Sequence, residues 1–318
     1  MSAPQFLENF LQALTAGLLT GAVYGLMCVG LSVIFGVMRV INFAQGDFMM
    51  LGMYAAFYAF SLLGLQTWFG AMAPYVAALL AGPMLFLVGV MVHKFLVSKV
   101  TGMRGHGLAA EGHYAQLILT LGVALIIQNG GLYLFGSAPV SIPTPLASSA
   151  WELGPLYENA VSIFINQGQA MAALIAVAVV LAFVHFMGQS TLGKSLRAAA
   201  DNPEAATYMG IDVAKSHHLA FGLGVAITAI GGGLLASGTS FQPYIGLEYV
   251  VVMYAGVVLG GLGSITGAFI GGLTIGLVQQ LSTLILPIQL QNTAIFVVFL
   301  GIVLLRPHGL FGTAARRT

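Results

Sequence analysis

One stretch of the chain spells out a chemistry in residue type and spacing. GQSTLGKS, from Gly188 to Ser195, fits the phosphate-binding pattern GxxxxGK[ST] letter for letter. Such a loop works when a strand delivers a glycine-rich turn to a helix N-terminus, so that backbone N–H groups cradle phosphates and the lysine reaches the terminal ones. Here a long apolar segment precedes Gly188, no strand is expected, and no soluble nucleotide domain follows to supply an Asp for Mg²⁺. The letters are present without their frame, so nucleotide binding is set aside. Elsewhere no His, Cys and carboxylate set has metal-ligand spacing, and the seven His are scattered without a Ser/His/Asp arrangement. No catalytic residue, metal ligand or cofactor is expected.

The lookalike opens a stretch, Gly188 to His218, that holds Lys194, Arg197, Asp201, Glu204, Asp212 and Lys215 in a chain of only ten basic and nine acidic residues. Within it, Asp201 or Asn202 can cap a helix, Pro203 suits the first helical position, Glu204 favours the positive end of the dipole, and Gly210 suits the exit. A short, water-exposed helix is expected over 203–209. His217 and His218 then stand at the entrance of the next apolar segment.

What must position these groups is a membrane bundle. Hydrophobic residues make up 58% of the chain and charged residues 6%, with a mean hydropathy of +0.96, against roughly a quarter charged in soluble domains. A net charge of +1 offers no basic stripe for nucleic acid. The single cysteine, Cys28, sits in an apolar run and is read as a small buried hydrophobe. Apolar windows fall near 8–37, 47–64, 74–97, 114–135, 166–187, 217–239 and 264–286, with shorter runs near 248–262 and 291–305. Spanning segments must close their own backbone hydrogen bonds, and alternating strand patterns are absent. The fold class is therefore all-α, a polytopic bundle of about eight or nine membrane segments, some broken, forming one transmembrane domain over 1–318 with a polar loop over 188–216.

Basic residues cluster at Arg39, at Lys94, Lys99 and Arg104, at Lys194, Arg197 and Lys215, and at Arg306, Arg316 and Arg317. The positive-inside rule makes these four groups cytoplasmic and the Gly136–Ile165 loop, with Glu152 and Glu158 but no Lys or Arg, external. The N-terminus is then outside and the C-terminus inside. Glycines recur at helical spacing as Gly17, Gly21 and Gly25, as Gly256 and Gly260, and as Gly267 and Gly271, which suits close helix packing in lipid.

Polar groups between apolar windows are costly and should face protein or a water-filled path. Arg39, Asn42, Gln45 and Asp47 form one such set, with Gly46 permitting a break; an Arg39–Asp47 ion pair that fixes a loop is the competing reading. Gly260, Gly261 and Gly263 permit a second break without any ionisable side chain. Glu248 is a lone acid at the edge of a short apolar run, for interfacial solvation or for gating, and Gln279 and Gln280 suit interhelical hydrogen bonds.

Three sets of motifs carry a family resemblance. Glu204, Ala205, Ala206 and Gly210 resemble the EAA signature of importer permeases of the ATP-binding-cassette (ABC) class. GVMRVINFAQGDFMMLG over 36–52 and VLGGLGSITGAFIGG over 258–272 look like the two hallmark segments of LivH-type permeases. The ending Arg306, Pro307, His308, Gly309, Leu310 and Phe311 is similar to the same family, as are LILTLG over 117–122 and Gln128 with Asn129. The resemblance runs from about residue 10 to 312. It implies the permease subunit of a bacterial inner-membrane ABC importer for amino acids, most of all branched-chain ones. Implied partners are a second, LivM-like permease, two ATPase subunits that consume the ATP, an external substrate-binding protein and membrane lipid. The EAA-like helix would dock an ATPase subunit, and Arg39, Asn42, Gln45, Gly46, Asp47, Glu248, Gly260, Gly261 and Gly263 are the candidate pathway or gate. Relatives also carry urea, short amides or other amino acids; a stand-alone secondary transporter or channel is the reading from another class. Residues 101–115 are longer and more polar than the family's usual link, and 136–165 match no motif.

Overall fold

A computed structural model describes residues 3–101, 109–156, 161–287, 290–305 and 309. Arg104, His106, Glu158, Arg306, Pro307, His308, Leu310, Phe311, Arg316 and Arg317 lie outside the described residues. In chain order the helices are α1 (Ala3–Met38), α2 (Gln45–Leu62), α3 (Leu65–Phe69), α4 (Ala73–Val92), α5 (Ser98–Thr101), α6 (Ala109–Phe135), α7 (Gln167–Gln189), α8 (Thr191–Asp201), α9 (Pro203–Tyr208), α10 (Val213–Leu235), α11 (Gly246–Gly260), α12 (Ile265–Ser282) and α13 (Gln291–Leu305).

All nine apolar windows fall on helices. Six helical stretches are long and apolar enough to cross a membrane: Gln5–Met38, Leu65–Val100, Ala115–Phe135, Gln167–Gln189, Val213–Leu235 and Ile265–Ser282. α11 and α13 are apolar but shorter, and α2 carries the polar Gln45 and Asp47 in its first turn.

α1 is the axis of the bundle and packs on α7, α10, α11 and α12; α10 in turn packs on α2 and α4. Lipid gives helices no hydrophobic reason to associate, so close backbone approach carries the packing. On α1, Gly21 and Gly25 face Gly276 and Gly272 of α12, and a Cβ on Gly272 would stand 2.5 Å from the Gly25 Cα. On α11, Gly256 and Gly260 face Gly271 and Gly267. The glycine faces are thus packing surfaces.

An all-helical chain is a correct expectation for the bundle and an incorrect one for the segment between α6 and α7. There β1 (Ala150–Leu156) pairs antiparallel with β2 (Val161–Asn166), placing Trp151 opposite Ile165 and Leu153 opposite Ile163. Val161 and Ile163 alternate inward, while Gly154 and Pro155 break the pattern on the other strand and produce an irregularity between Leu153 and Leu156. Gln12 of α1 holds the hairpin with both ends of its amide: Nε2 donates to the Phe164 carbonyl at 2.7 Å, and Oε1 accepts from the Phe164 N–H at 3.0 Å.

Candidate functional site

α1 ends at Met38, and the next residue, Arg39, closes it in the left-handed region, with φ 53° and its N–H donating to the Phe35 carbonyl at 2.8 Å. Six non-helical residues follow before α2. Exposure alternates along them, with Arg39, Ile41 and Phe43 open and Val40, Asn42 and Ala44 buried. Asn42 then turns the chain: its Oδ1 accepts from the Ala44 N–H at 3.1 Å and its carbonyl from the Gln45 N–H at 3.2 Å.

Gln45 fixes where α2 starts. Its Nε2 donates to Thr228 Oγ1 at 2.6 Å and to the Gly224 carbonyl at 3.3 Å, while its Oε1 accepts from Asn42 Nδ2 at 2.8 Å. Thr228 donates onward to the Met27 carbonyl of α1 at 3.4 Å. Met27 lies about 16 Å back from Met38 at the helical rise of 1.5 Å per residue. The chain therefore doubles back along α1, and α2 begins inside the bundle rather than at its edge. Gly46 makes that start possible, because it abuts Gly246 at the start of α11 with no room for a Cβ.

Asp47 is 2% exposed and its Oδ1 accepts from Gln128 Nε2 of α6, itself 4% exposed, at 2.9 Å. Arg39 stands open instead, so the competing Arg39–Asp47 pair does not form. α6 reaches the same segment a second time through Thr120, whose Oγ1 accepts from the Phe43 N–H at 3.3 Å and donates toward the Ile41 carbonyl at 3.5 Å. A buried polar group must be paired to be tolerated, more so where lipid replaces water. Asn42, Gln45, Asp47, Thr120, Gln128 and Thr228 meet that demand together.

The second glycine segment lies against the first. Gly261 and Gly263 adopt φ of 98° and 86°, in the region that favours glycine, and turn the chain from α11 into α12. Gly263 packs on Gly36, just before the α1 break, and Gly309 of the C-terminal motif packs on Gly261. Glu248 is not part of this meeting point; it is exposed in the first turn of α11. Gln279 accepts from the Tyr24 hydroxyl at 2.9 Å, the interhelical bond expected of it.

At the opposite end of α7 from the hairpin lies the charged stretch. Ser190 Oγ of the phosphate-loop lookalike accepts from the Gly193 N–H at 2.9 Å and so caps α8, while Gly193 sits against the Met187 backbone. A helix precedes this motif in place of a strand, so its glycine serves a tight α7–α8 corner. Asn202 Oδ1 then caps α9 through the Ala205 N–H at 3.0 Å, Pro203 takes the first turn, and Gly210 ends the helix with φ 80°. Glu204 and Ala205 are exposed, but Ala206 is turned inward at 4% exposure. Asp212 caps α10, and the Lys215 N–H beside it, with the Lys215 ammonium 3.2 Å away, holds its carboxyl below the usual carboxylate range.

Thr228 and Gly246 escape sequence reasoning because Thr and Gly are ordinary in apolar helices, while Thr120 is seen there only as a letter of the 117–122 motif and without its contact to residues 41 and 43. Tyr208 at the end of α9 and Met209 just after it, 88% and 82% exposed, also escape it; the available signal is two large apolar residues beside a helix stop in a polar loop.

A family model described as a branched-chain amino acid transport system permease component matches residues 13–306. The chain is 29% identical to the high-affinity branched-chain amino acid transport system permease protein LivH of Escherichia coli strain K12, over 97% of each. It is 27% identical to BraD, the corresponding permease protein of Pseudomonas aeruginosa, over 96% of each. It is 26% identical to a probable branched-chain amino acid transport permease protein LivH of Methanocaldococcus jannaschii, over 90% of this chain and 88% of that one. No solved structure matches it significantly.

Proposed function

Because the chain belongs to the branched-chain amino acid transport system permease family, we propose that it is the membrane-spanning permease subunit of a bacterial ABC importer, carrying branched-chain amino acids across the inner membrane. The observation that carries this reading is an end-to-end match to permeases in a chain whose apolar bundle encloses a polar break. The chain is one transmembrane domain that supplies half of a translocation path and hydrolyses no ATP itself. Its partners are a second, LivM-like permease, two ATPase subunits and an external substrate-binding protein. All nine apolar helices are membrane segments; the α9 end, near Lys94, Lys99, Lys194, Arg197 and Lys215, is cytoplasmic, and the hairpin end with the N-terminus is external.

On this reading the 188–216 loop docks an ATPase subunit through α9. Glu204, Ala205, Tyr208 and Met209 make the contact, Ala206 anchors the helix to its own chain, and Gly210 shapes the exit. Closure of the ATPase pair displaces α9, and α8 and α10 pass the displacement to the bundle. The break over Arg39, Asn42, Gln45, Gly46 and Asp47, with the turn at Gly260, Gly261 and Gly263, forms the gate on this half, while Glu248 faces the path from the start of α11. The test is reconstitution with and without the ATPase subunits, using Glu204→Arg alongside. Expected are uptake only with ATPase present, and a variant that inserts normally yet loses ATPase association and transport. Transport or ATP hydrolysis by the chain alone, or unchanged copurification and uptake in the variant, would refute it.

A further inference from the structure

Toward the hairpin end the bundle encloses a cavity of about 230 Å³, the space of roughly eight water molecules at ~30 Å³ each. Thr20 and Tyr24 of α1, Gln169 of α7, Tyr249 of α11, Gln280 of α12 and Gln291 of α13 bring polar groups to its wall. Gln169 and Thr239 are exposed and mark its mouth. Tyr24 makes its floor: it is buried, its hydroxyl is tied to Gln279, and its ring meets that of Tyr249 edge to face with centroids 5.9 Å apart. Three residues further along α1, about 4.5 Å at the helical rise, the Met27 carbonyl accepts from Thr228. Less than one turn of α1 therefore separates this floor from the buried polar network at the α2 start.

Two features of the wall determine what can occupy the cavity. The Thr20 hydroxyl and the side-chain amides of Gln169, Gln280 and Gln291 make no hydrogen bond among the described residues. Polar groups left bare inside a membrane bundle are costly, so this wall calls for a hydrogen-bonding occupant and not for a lipid tail. No Asp, Glu, Lys, Arg or His lines the cavity, and Glu248, next to Tyr249 in sequence, is exposed outside it. An ion entering an uncharged wall gives up hydration that no counter-charge replaces. Hydroxyls and amides both donate and accept, so they can replace the hydration of a solute whose charges are absent or cancel.

We propose that this cavity binds a small solute of zero net charge that carries both hydrogen-bond donors and acceptors, admitted from the hairpin face, and that it turns away cations and anions. Thr20, Gln280 and Gln291 supply the contacts, and Tyr24 holds the floor closed above the α2 start. The solute class follows from the wall alone. Only the role of the cavity as the chamber before the break rests on the importer reading above.

The test is cysteine labelling of the assembled complex in proteoliposomes at Thr20→Cys and, separately, Gln280→Cys, two uncharged replacements on different helices, so that one remains if the other fails to assemble. The native Cys28 is buried. Methanethiosulfonate reagents of similar size, one neutral, one cationic and one anionic, are added on the hairpin side, and Glu152→Cys on the exposed strand normalises their rates. At both cavity positions the neutral reagent is expected to react at least about tenfold faster than either charged one, the penalty falling on the unpaired ion. Excess glutamine should slow that reaction at least about threefold by occupying the site, while glutamate, its charged isostere, and lysine should leave it unchanged. Equal normalised rates for the three reagents would overturn the charge exclusion and the proposal with it. Labelling that glutamine does not slow would reduce the cavity to a water-filled recess, and no labelling by any reagent would show it sealed from the hairpin face; either result overturns the site. None of these readouts needs transport, so a wild-type complex that takes up no amino acid with ATP and binding protein would overturn the importer reading and leave the labelling pattern to decide the site.

Discussion

Removing the Gln128–Asp47 bond tests whether α6 is fastened to the α2 start by side-chain polarity. Donor and acceptor are 2.9 Å apart and both nearly inaccessible, so no water replaces a lost partner. Gln128→Leu leaves a buried carboxyl without its amide, and Asp47→Ala leaves a buried amide without its acceptor; each costs about 1–3 kcal/mol for the unpaired group. Coupling between polar side chains in membrane proteins is smaller, averaging ~0.6 and reaching ~1.7 kcal/mol. With one partner a carboxyl and both sites closed, a coupling near the top of that range is expected, about 1.5 kcal/mol, or slightly over tenfold in an equilibrium constant. The assay is a double-mutant cycle on the purified chain unfolded by SDS titration in mixed micelles. Asp47→Asn serves as control, since it keeps the oxygen that Gln128 uses and should lose less than about 1 kcal/mol. Coupling below about 0.3 kcal/mol, within the error of additivity, or an Asn variant as damaged as the Ala variant, would refute the fastening.

Arg39→Gly removes a side chain from a left-handed residue that costs about 1–2 kcal/mol, offset by about 0.5–1 kcal/mol of glycine entropy; SDS titration should show unchanged or slightly raised stability while uptake falls. Gly272→Val places branched carbons against Gly25, and overpacking there should cost at least about 1–3 kcal/mol by the same titration, whereas Gly122→Ala, with open space around it, should be neutral. Asp212 has a depressed folded-state value, so its capping contribution is present above the unfolded carboxyl value of about 4 and is lost as pH falls through the folded one. Hydrogen exchange in the first turn of α10 should therefore quicken in acid relative to the rest of that helix, and Asp212→Asn should abolish the difference.

How much of this is legible in the sequence follows from the range of each force. Transfer of apolar residues into lipid is local and additive, so nine windows give nine helices, and the α9 boundaries follow from Asn202, Pro203 and Gly210 within one residue of the expected stop. The turn at Gly261 and Gly263 is legible for a related reason, since a turn announces itself in its own residues, whereas the first break falls at residues 39–44 and Gly46 lies within α2. What escapes is pairing across the chain. Gln128 lies 81 residues from Asp47, and Thr228 lies 183 from Gln45; nothing near either polar residue says which partner satisfies it. The competing Arg39–Asp47 reading fails on this point, because proximity in sequence stands in for proximity in space. The hairpin is hidden because Gly154 and Pro155 interrupt the alternation of its first strand.

The two-way clasp of Gln12 on Phe164 gives the break at Arg39 two unequal correspondents. The hairpin is tied to one end of α1, an unbroken rod of 36 residues whose other end is that break, and a push on it arrives as rigid displacement along one element. A push on α9 must cross side-chain contacts between α8, α10 and α1, where each interface can yield. The same turn is thus joined to one face of the bundle through a single helix and to the other through several helix contacts, so a displacement of the hairpin is expected to reach it with less loss than a displacement of α9.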